Sequence, residues 1–445
     1  MVDLSPELIV VSMFGLALIG ILFGYPLAIV LGGVGMIVGL VTLGPVVFDL
    51  FMRRVFKFFS DYILLALPLF IFMGVMVEKS GAAERLYSGL YIWFGKLRGG
   101  LAVSTVLMGT ILAACVGLIA ASVTMIGLIG APAMIKRGYD KKLVCGAICA
   151  GGSLGILIPP SVMLVVYGPN AAISVGKLFM AAFIPGLLLS ALYSAYILII
   201  CWLKPQLAPP ISKEEASVPF RQKMGIFLKG ILPPIVLILA VLGTIFFGIA
   251  SPTEAAAVGC VASVILAAAY RNLRWHVLKD AILQTMAVTA MIMLIGGGAS
   301  MFTSVFLRMG GGEVVSNLIL AAPGGKWGAF IVVMFIVFIL GMFIDWLGIV
   351  FIMVPLVTPI GKALGFDTLW FAMMIIVNLQ MSFMTPPFAY SLFYLKAIAK
   401  PEWGIETMHI IKGAIPFIIL IMIGLGLCIA FPDIILWLPH LMIKF

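Results

Sequence analysis

Two stretches carry the oxygen atoms that a cation held within a membrane would need. They are Gly151-Gly152-Ser153-Leu154-Gly155-Ile156-Leu157-Ile158-Pro159-Pro160-Ser161 and Asn378-Leu379-Gln380-Met381-Ser382-Phe383-Met384-Thr385-Pro386-Pro387. Each sets a Pro-Pro pair beside serine or threonine inside an otherwise apolar run. In hydrocarbon a free N–H or C=O is costly, so irregular backbone survives only where it is buried in protein or lines a polar cavity. A hard cation such as Na⁺ would draw on backbone at Gly155 and Leu157 and on the hydroxyls of Ser153, Ser161, Ser382 and Thr385. Helix N-termini at the same breaks offer N–H groups to an anion. Read alone, either stretch could also be a proline kink with packing glycines.

Charged side chains in apolar surroundings are few, and each needs a partner. Arg308 follows Gly296-Gly297-Gly298, read as a glycine-rich break, and its planar fork suits a carboxylate or sulfonate. Asp345 could pair with Arg308 or help to hold a cation. The plainer alternatives are an arginine snorkelling to headgroups and an aspartate capping a helix. Glu254, just after Pro252, reads as a helix-start carboxylate. His276, His409 and His440 form no cluster, and the six cysteines show no CxxC pair. A metal-dependent or nucleophilic enzyme therefore lacks its constellation, and no phosphate-binding loop is present.

The elements that must position these groups are membrane spans. Hydrophobic residues make up 64% and charged residues 10% of the 445, against roughly 45–50% and 25% in a soluble domain. Apolar runs of about 20 residues match a bilayer core. The net charge of +10 belongs to loops, not to a nucleic-acid surface. The first residues lack the basic start and cleavage site of a removable signal, so the first span is expected to remain.

The pattern predicts spans over 7–24, 26–44 and 60–78, an amphipathic interfacial segment over 49–59, and an interface-lying connection over 79–100. A re-entrant hairpin follows over about 101–136 with its tip near 116–122, then a broken span to 168 and a long span over 176–203. Residues 204–230 form a polar linker, in which Ser212 and Glu215 resemble a capping box. The second half, 231–445, repeats the first half, 1–203. A shift of 227 superposes Pro132 on Pro359, Gly138 on Gly365, Asp140 on Asp367, Pro159-Pro160 on Pro386-Pro387 and Tyr167 on Tyr394. Nearby shifts pair Pro26 with Pro252 and Gly81 with Gly310. A second hairpin is thus expected over about 328–363, with its tip around 341–346.

Each half has an odd number of crossings, so the halves enter from opposite faces. With the linker cytoplasmic and both termini outside, 19 of the 27 Lys and Arg lie on the cytoplasmic side and 8 outside. Arg53, Arg54 and Lys57 fall against that bias.

With these motifs in place, the sequence resembles the large membrane subunit of tripartite ATP-independent periplasmic (TRAP) transporters over essentially its whole length. Gly248-Ile249-Ala250-Ser251-Pro252-Thr253-Glu254-Ala255-Ala256-Ala257-Val258-Gly259 is similar to that family's most characteristic segment. Gly155–Ser161 and Met384–Pro387 are similar to its two broken-helix motifs. The resemblance implies an all-α polytopic membrane protein, an inverted repeat with two re-entrant hairpins and two broken helices, of the elevator-type ion transporter fold. It implies a bacterial inner-membrane permease that imports a small organic anion, a carboxylate or sulfonate, with Na⁺. Its implied partners are a small four-helix membrane subunit and a periplasmic binding protein. By resemblance, one Na⁺ site would use the first tip at Val116 and Ile119 with Gly155, Leu157 and Pro160. The other would use Gly341, Met384 and Thr385, while Arg308, Asp345, Ser153 and Ser382 would meet the substrate. The first tip departs from the family's Ser-Gly-Ser-Ser, reading Val116-Gly117-Leu118-Ile119, which shifts ligation there toward carbonyls. A stand-alone Na⁺ or H⁺ symporter of similar fold, an intramembrane enzyme and an anion channel are the competing readings.

Overall fold

The structure, a computed structural model, describes residues 5–210 and 219–442. The Ser212 and Glu215 capping box lies outside the described residues. In chain order the helices are α1 (Pro6–Leu22), α2 (Leu27–Leu43), α3 (Val46–Phe59), α4 (Ala66–Lys79), α5 (Ala82–Phe94), α6 (Gly100–Val116), α7 (Ile119–Ile135), α8 (Lys141–Ser153), α9 (Val162–Ala171) and α10 (Val175–Leu203). The second half continues with α11 (Phe220–Phe246), α12 (Pro252–Ala269), α13 (Trp275–Arg308), α14 (Gly311–Leu320), α15 (Gly325–Phe343), α16 (Trp346–Ala363), α17 (Thr368–Ser382), α18 (Tyr390–Ile398), α19 (Thr407–Ala430) and α20 (Asp433–Leu441). Among the described residues, 8 helical segments are long and apolar enough to cross a membrane, α15 and α16 of the second hairpin among them; the shorter apolar helices are α1, α2, α6 and α7 of the first hairpin, and α9 and α17 of the broken spans.

The repeat seen in the sequence is a repeat of local chemistry. Gly138 and Gly365 both adopt positive φ, 72° and 76°, after a helix end, where a side chain would be strained. Two residues on, Asp140 and Asp367 accept from backbone N–H groups of the next first turn, Asp140 from Lys142 and Leu143 and Asp367 from Trp370. Both Pro-Pro bonds, Pro159-Pro160 and Pro386-Pro387, are cis. The α12 start is a capping box: Ser251 Oγ accepts from the Glu254 N–H and the Glu254 carboxylate accepts from the Ser251 N–H.

The repeats interlock. α2 packs along α13, and its counterpart α12 packs along α4; α7 packs on α18 as α16 packs on α9. Glycines set the closest approach. A Cβ on Gly35 would stand 3.0 Å from the Phe302 nitrogen, and one on Gly298 would collide with the Ala28 carbonyl. Gly296-Gly297-Gly298 is therefore a packing surface for α2 and for Phe58 of α3, not a break: α13 runs unbroken for 34 residues. At ~1.5 Å per residue this exceeds ~30 Å of hydrocarbon, so α13 must tilt or protrude. In the first half the matching chain is divided into α3 and α4.

α11 begins at Phe220, inside the interval read as linker, because Pro219 precedes its first turn and its Arg221 and Lys223 can lie beyond the hydrocarbon. The start of that interval docks on the first hairpin's base: the Asp140 N–H donates to the Leu207 carbonyl at 2.8 Å and the Gly99 N–H to Ala208 at 3.3 Å. Tyr139 closes the same corner by accepting from the Leu101 N–H at 3.3 Å. Burial pushes its hydroxyl up to about 12, so it stays neutral.

Candidate ion and substrate site

Both hairpins turn in two residues. α6 ends at Val116 and α7 starts at Ile119, with Gly117 in the left-handed region at φ 68° that its missing Cβ permits. α15 ends at Phe343, and Asp345 is the residue before α16. Each tip sits on the break of its own repeat. At the first, Gly117 approaches so closely that a Cβ would lie 3.3 Å from both the Pro160 carbonyl oxygen and the Val162 nitrogen. A Cβ on Gly155 would lie 2.7 Å from Ser122 Oγ and 3.4 Å from the Leu118 carbonyl oxygen. At the second, the Phe388 N–H donates to the Met342 carbonyl at 3.2 Å, and a Cβ on Gly341 would land on Ser382 Oγ.

The two breaks also meet each other. Ser153 Oγ lies 3.8 Å from Met384 Sδ, and the Cys149 thiol points at the Ser391 carbonyl at 3.6 Å. N-terminal ends of α7 and α9 and C-terminal ends of α6 and α8 thus surround the first break. Those of α16 and α18 with α15 and α17 surround the second.

What these groups can hold follows from their spare lone pairs. Among the described residues, no backbone bond outside the helices ends on the carbonyls of Gly155, Leu157, Pro160, Gly341, Met384 or Thr385. The Ser161 hydroxyl is committed to the Ile156 carbonyl at 2.5 Å, Ser153 to Ala150 at 3.0 Å, Ser382 to Leu379 at 3.0 Å and Thr385 to Met381 at 2.8 Å. A hydroxyl that donates to a carbonyl keeps lone pairs for a cation. Val116 turns its carbonyl toward Gly74 of α4, and Ile119 opens α7 so that its carbonyl runs along that helix.

Sequence reasoning missed two groups here. Ser122 Oγ is buried beside Gly155 with no hydrogen-bond partner, and Gln380, fully buried on α17, has neither amide atom satisfied. Gln380 stands two residues before the end of α17, and Met384, which meets Ser153, lies just past that end. Buried polar groups nearly always have partners, and an oxygen-rich break with orphaned oxygens suits a hard cation. The polarity of Ser122 and Gln380 was visible in the sequence; their depth was not.

The proposed substrate charges sit on different elements. Asp345 is partly buried at the second tip, within electrostatic range of Tyr390 and Tyr394 on α18. Arg308 is exposed at the end of α13. No ion pair joins the two. Next to Arg308, Leu307 lines a cavity of ≈ 260 Å³ that the sequence reading did not anticipate. Its walls carry Arg54 and Lys57 of α3, Asp61, Asn170 of α9, Ser300, Thr303 and Ser304 of α13, and Phe351 and Pro355 of α16.

Known proteins share this chain's sequence and architecture. The family model of the tripartite ATP-independent periplasmic transporter, DctM component, matches residues 10–434. The C4-dicarboxylate TRAP transporter large permease protein of Pseudomonas aeruginosa is 32% identical over 389 residues, covering 87% of this chain and 88% of that protein. The isethionate TRAP transporter permease protein of Oleidesulfovibrio alaskensis is 28% identical over 92% of this chain and 63% of its own length. The crystal structure of the Alcanivorax borkumensis YdaH transporter shares the fold, with a TM-score of 0.62 at 13% identity over 94% of this chain and 99% of that one. These relatives are transporter permeases, not enzymes. With nearly its whole length matched, the chain belongs to the DctM component family of tripartite ATP-independent periplasmic transporters, as a multi-pass membrane permease.

Proposed function

We propose that this permease imports a small organic anion by coupling it to Na⁺. The observation that carries the reading is the meeting of two hairpin tips with two broken helices, at carbonyls of Gly155, Leu157 and Pro160 and of Gly341, Met384 and Thr385 that no backbone bond outside the helices uses. In each break Na⁺ takes carbonyl and hydroxyl oxygens, with Ser122 Oγ added at the first. Helix N-termini at the same depth favour the anion. Holding a cation there draws tip and break together, so Na⁺ prepares the surface that receives the substrate.

The helices fall into two groups that support an elevator. α1–α5 with α11–α14 make a frame, and α6–α10 with α15–α20 make the body that carries both breaks. In this reading the body slides against the frame in the bacterial inner membrane, both termini are periplasmic, and a small four-helix membrane subunit packs on the frame. A periplasmic binding protein delivers the anion. The relatives named for C4-dicarboxylate and isethionate support a carboxylate or sulfonate as its head group.

Reconstitution with the small subunit tests this. Uptake of labelled succinate or isethionate into proteoliposomes is expected only with an inward Na⁺ gradient and the binding protein. Uptake undiminished when both are omitted would sink the mechanism. Uptake that needs the gradient but not the binding protein would instead support a stand-alone symporter.

A further inference from the structure

We propose that the cavity between α3, α9, α13 and α16 is a seat for the anionic head of the transported substrate, with Arg54 and Lys57 as its cationic ligands. The proposal rests on the transport reading and locates its substrate. Three features of the chain converge on it.

The first is charge. Arg54 and Lys57 line the cavity, and neither is engaged in an ion pair or hydrogen bond among the described residues. The one acid there, Asp61, accepts from the Ile63 N–H at 3.0 Å, and against it the two cations leave the lining with an excess of positive charge. The Asn170 amide donates one hydrogen to the Val166 carbonyl at 2.8 Å and keeps its second for a ligand. Ser300 and Ser304 donate their hydroxyls to the Gly297 and Ser300 carbonyls, so they shape the wall without adding donors.

The second is position. The cavity's two walls belong to different bodies, α3 and α13 to the frame and α9 and α16 to the group that carries the breaks, and Thr303 Oγ1 bridges them by donating to the Phe351 carbonyl at 3.2 Å. An anion seated there touches both sides of the sliding surface, so movement of one body changes its ligands. Its ≈ 260 Å³ falls below the roughly 300–1,000 Å³ of sites for drug-sized ligands, which suits a small acid.

The third is the charge pattern of the loops. Arg53, Arg54 and Lys57 lie against the bias that places basic residues on the cytoplasmic side. A ligand role accounts for two of the three. Arg53 is absent from the cavity's lining and serves as the internal control.

The test uses the permease with its small subunit in phosphatidylcholine nanodiscs. Succinate, isethionate and sulfate are titrated in Na⁺, and thermal stabilisation is followed. For wild type, succinate or isethionate raises the melting temperature. Arg54→Gln and Lys57→Gln each demand about tenfold more anion or worse, as loss of a charge-assisted hydrogen bond implies. Arg53→Gln behaves as wild type, and all three variants keep the stabilisation given by Na⁺ alone, which reports intact breaks. Wild-type anion affinity in Arg54→Gln and Lys57→Gln overturns the seat. So does competition by added phosphatidylglycerol that removes the Arg54-dependent binding in nanodiscs without slowing uptake into proteoliposomes of the same lipid composition, since the cavity is then a lipid headgroup site. A wild type that answers only to sulfate, in an Arg54-dependent way, overturns the transport of organic acids and leaves the anion seat standing. No response to any of the three anions overturns both.

Discussion

Gly155→Ala puts the smallest possible wedge between the first hairpin tip and the break beneath it. The added methyl would stand 2.7 Å from Ser122 Oγ, 3.3 Å from Ser122 Cβ and 3.4 Å from the Leu118 carbonyl oxygen. The hydroxyl can rotate away; the Cβ and the carbonyl can yield only if α7 shifts by a few tenths of an ångström. Overpacking of this kind costs about 1–3 kcal/mol. If the strain is felt most when the tip closes on an ion, the same energy lowers Na⁺ affinity by about 5- to 150-fold. The assay is thermal melting of the purified complex at increasing Na⁺ against constant ionic strength in choline. The matched control is Gly243→Ala on α11, where nothing lies within 4 Å of the added methyl. Gly243→Ala should keep the Na⁺ dependence and gain up to about 1 kcal/mol from helix propensity. A Gly155→Ala protein whose Na⁺ midpoint stays within about twofold of wild type, below the shift that overpacking implies, would refute the reasoning.

Ser122→Ala removes a buried hydroxyl that has no protein partner; stability in choline should hold or rise while Na⁺ affinity falls, as seen by melting in the two salts. Gly298→Ala drives a methyl into the Ala28 carbonyl and should destabilise the α2–α13 pair by about 1–3 kcal/mol or more, read as a lower melting temperature that Na⁺ does not restore. A phosphatase reporter fused after residue 442 should be active, and one inserted within 211–218 inactive, if the linker is cytoplasmic; the reverse pattern would invert the topology.

The repeat was legible because it is written in residues with one local job each. Glycine at 138 and 365, aspartate at 140 and 367, and proline pairs at 159 and 386 keep their spacing through helix ends, caps and breaks. Both hairpins and both broken spans followed from that register. Gly296-Gly297-Gly298 misled because glycine serves two purposes in a membrane: it loosens a helix, and it lets a neighbour approach. Only the position of α2 and Phe58 decides for the second. Arg308 and Asp345 drew notice as isolated charges, and among the described residues no ion pair joins them. Arg54 and Lys57 read as an interfacial strip because the pattern of α3 is amphipathic; the opposing wall comes from α9, α13 and α16, far away in sequence. Ser122 hid among small residues whose common role is packing.

The proposed frame-and-body division would give the two kinds of charge different tasks. Carbonyls in the breaks belong to the proposed body, so an ion held there would travel with it. The arginine and lysine of α3 belong to the frame. On the same proposal, an anion seated between Arg54 and Lys57 of the frame and Asn170 of the body would join ion occupancy to movement.

The central claim is that the two breaks hold the coupling ions. An experimental density map of the complex, determined once in Na⁺ and once in choline, tests it most directly. The account predicts compact density in Na⁺ at two places, one bounded by Gly155, Leu157 and Ser122 and one by Gly341 and Thr385, each lost in choline. Identical density at both places in the two salts would contradict it.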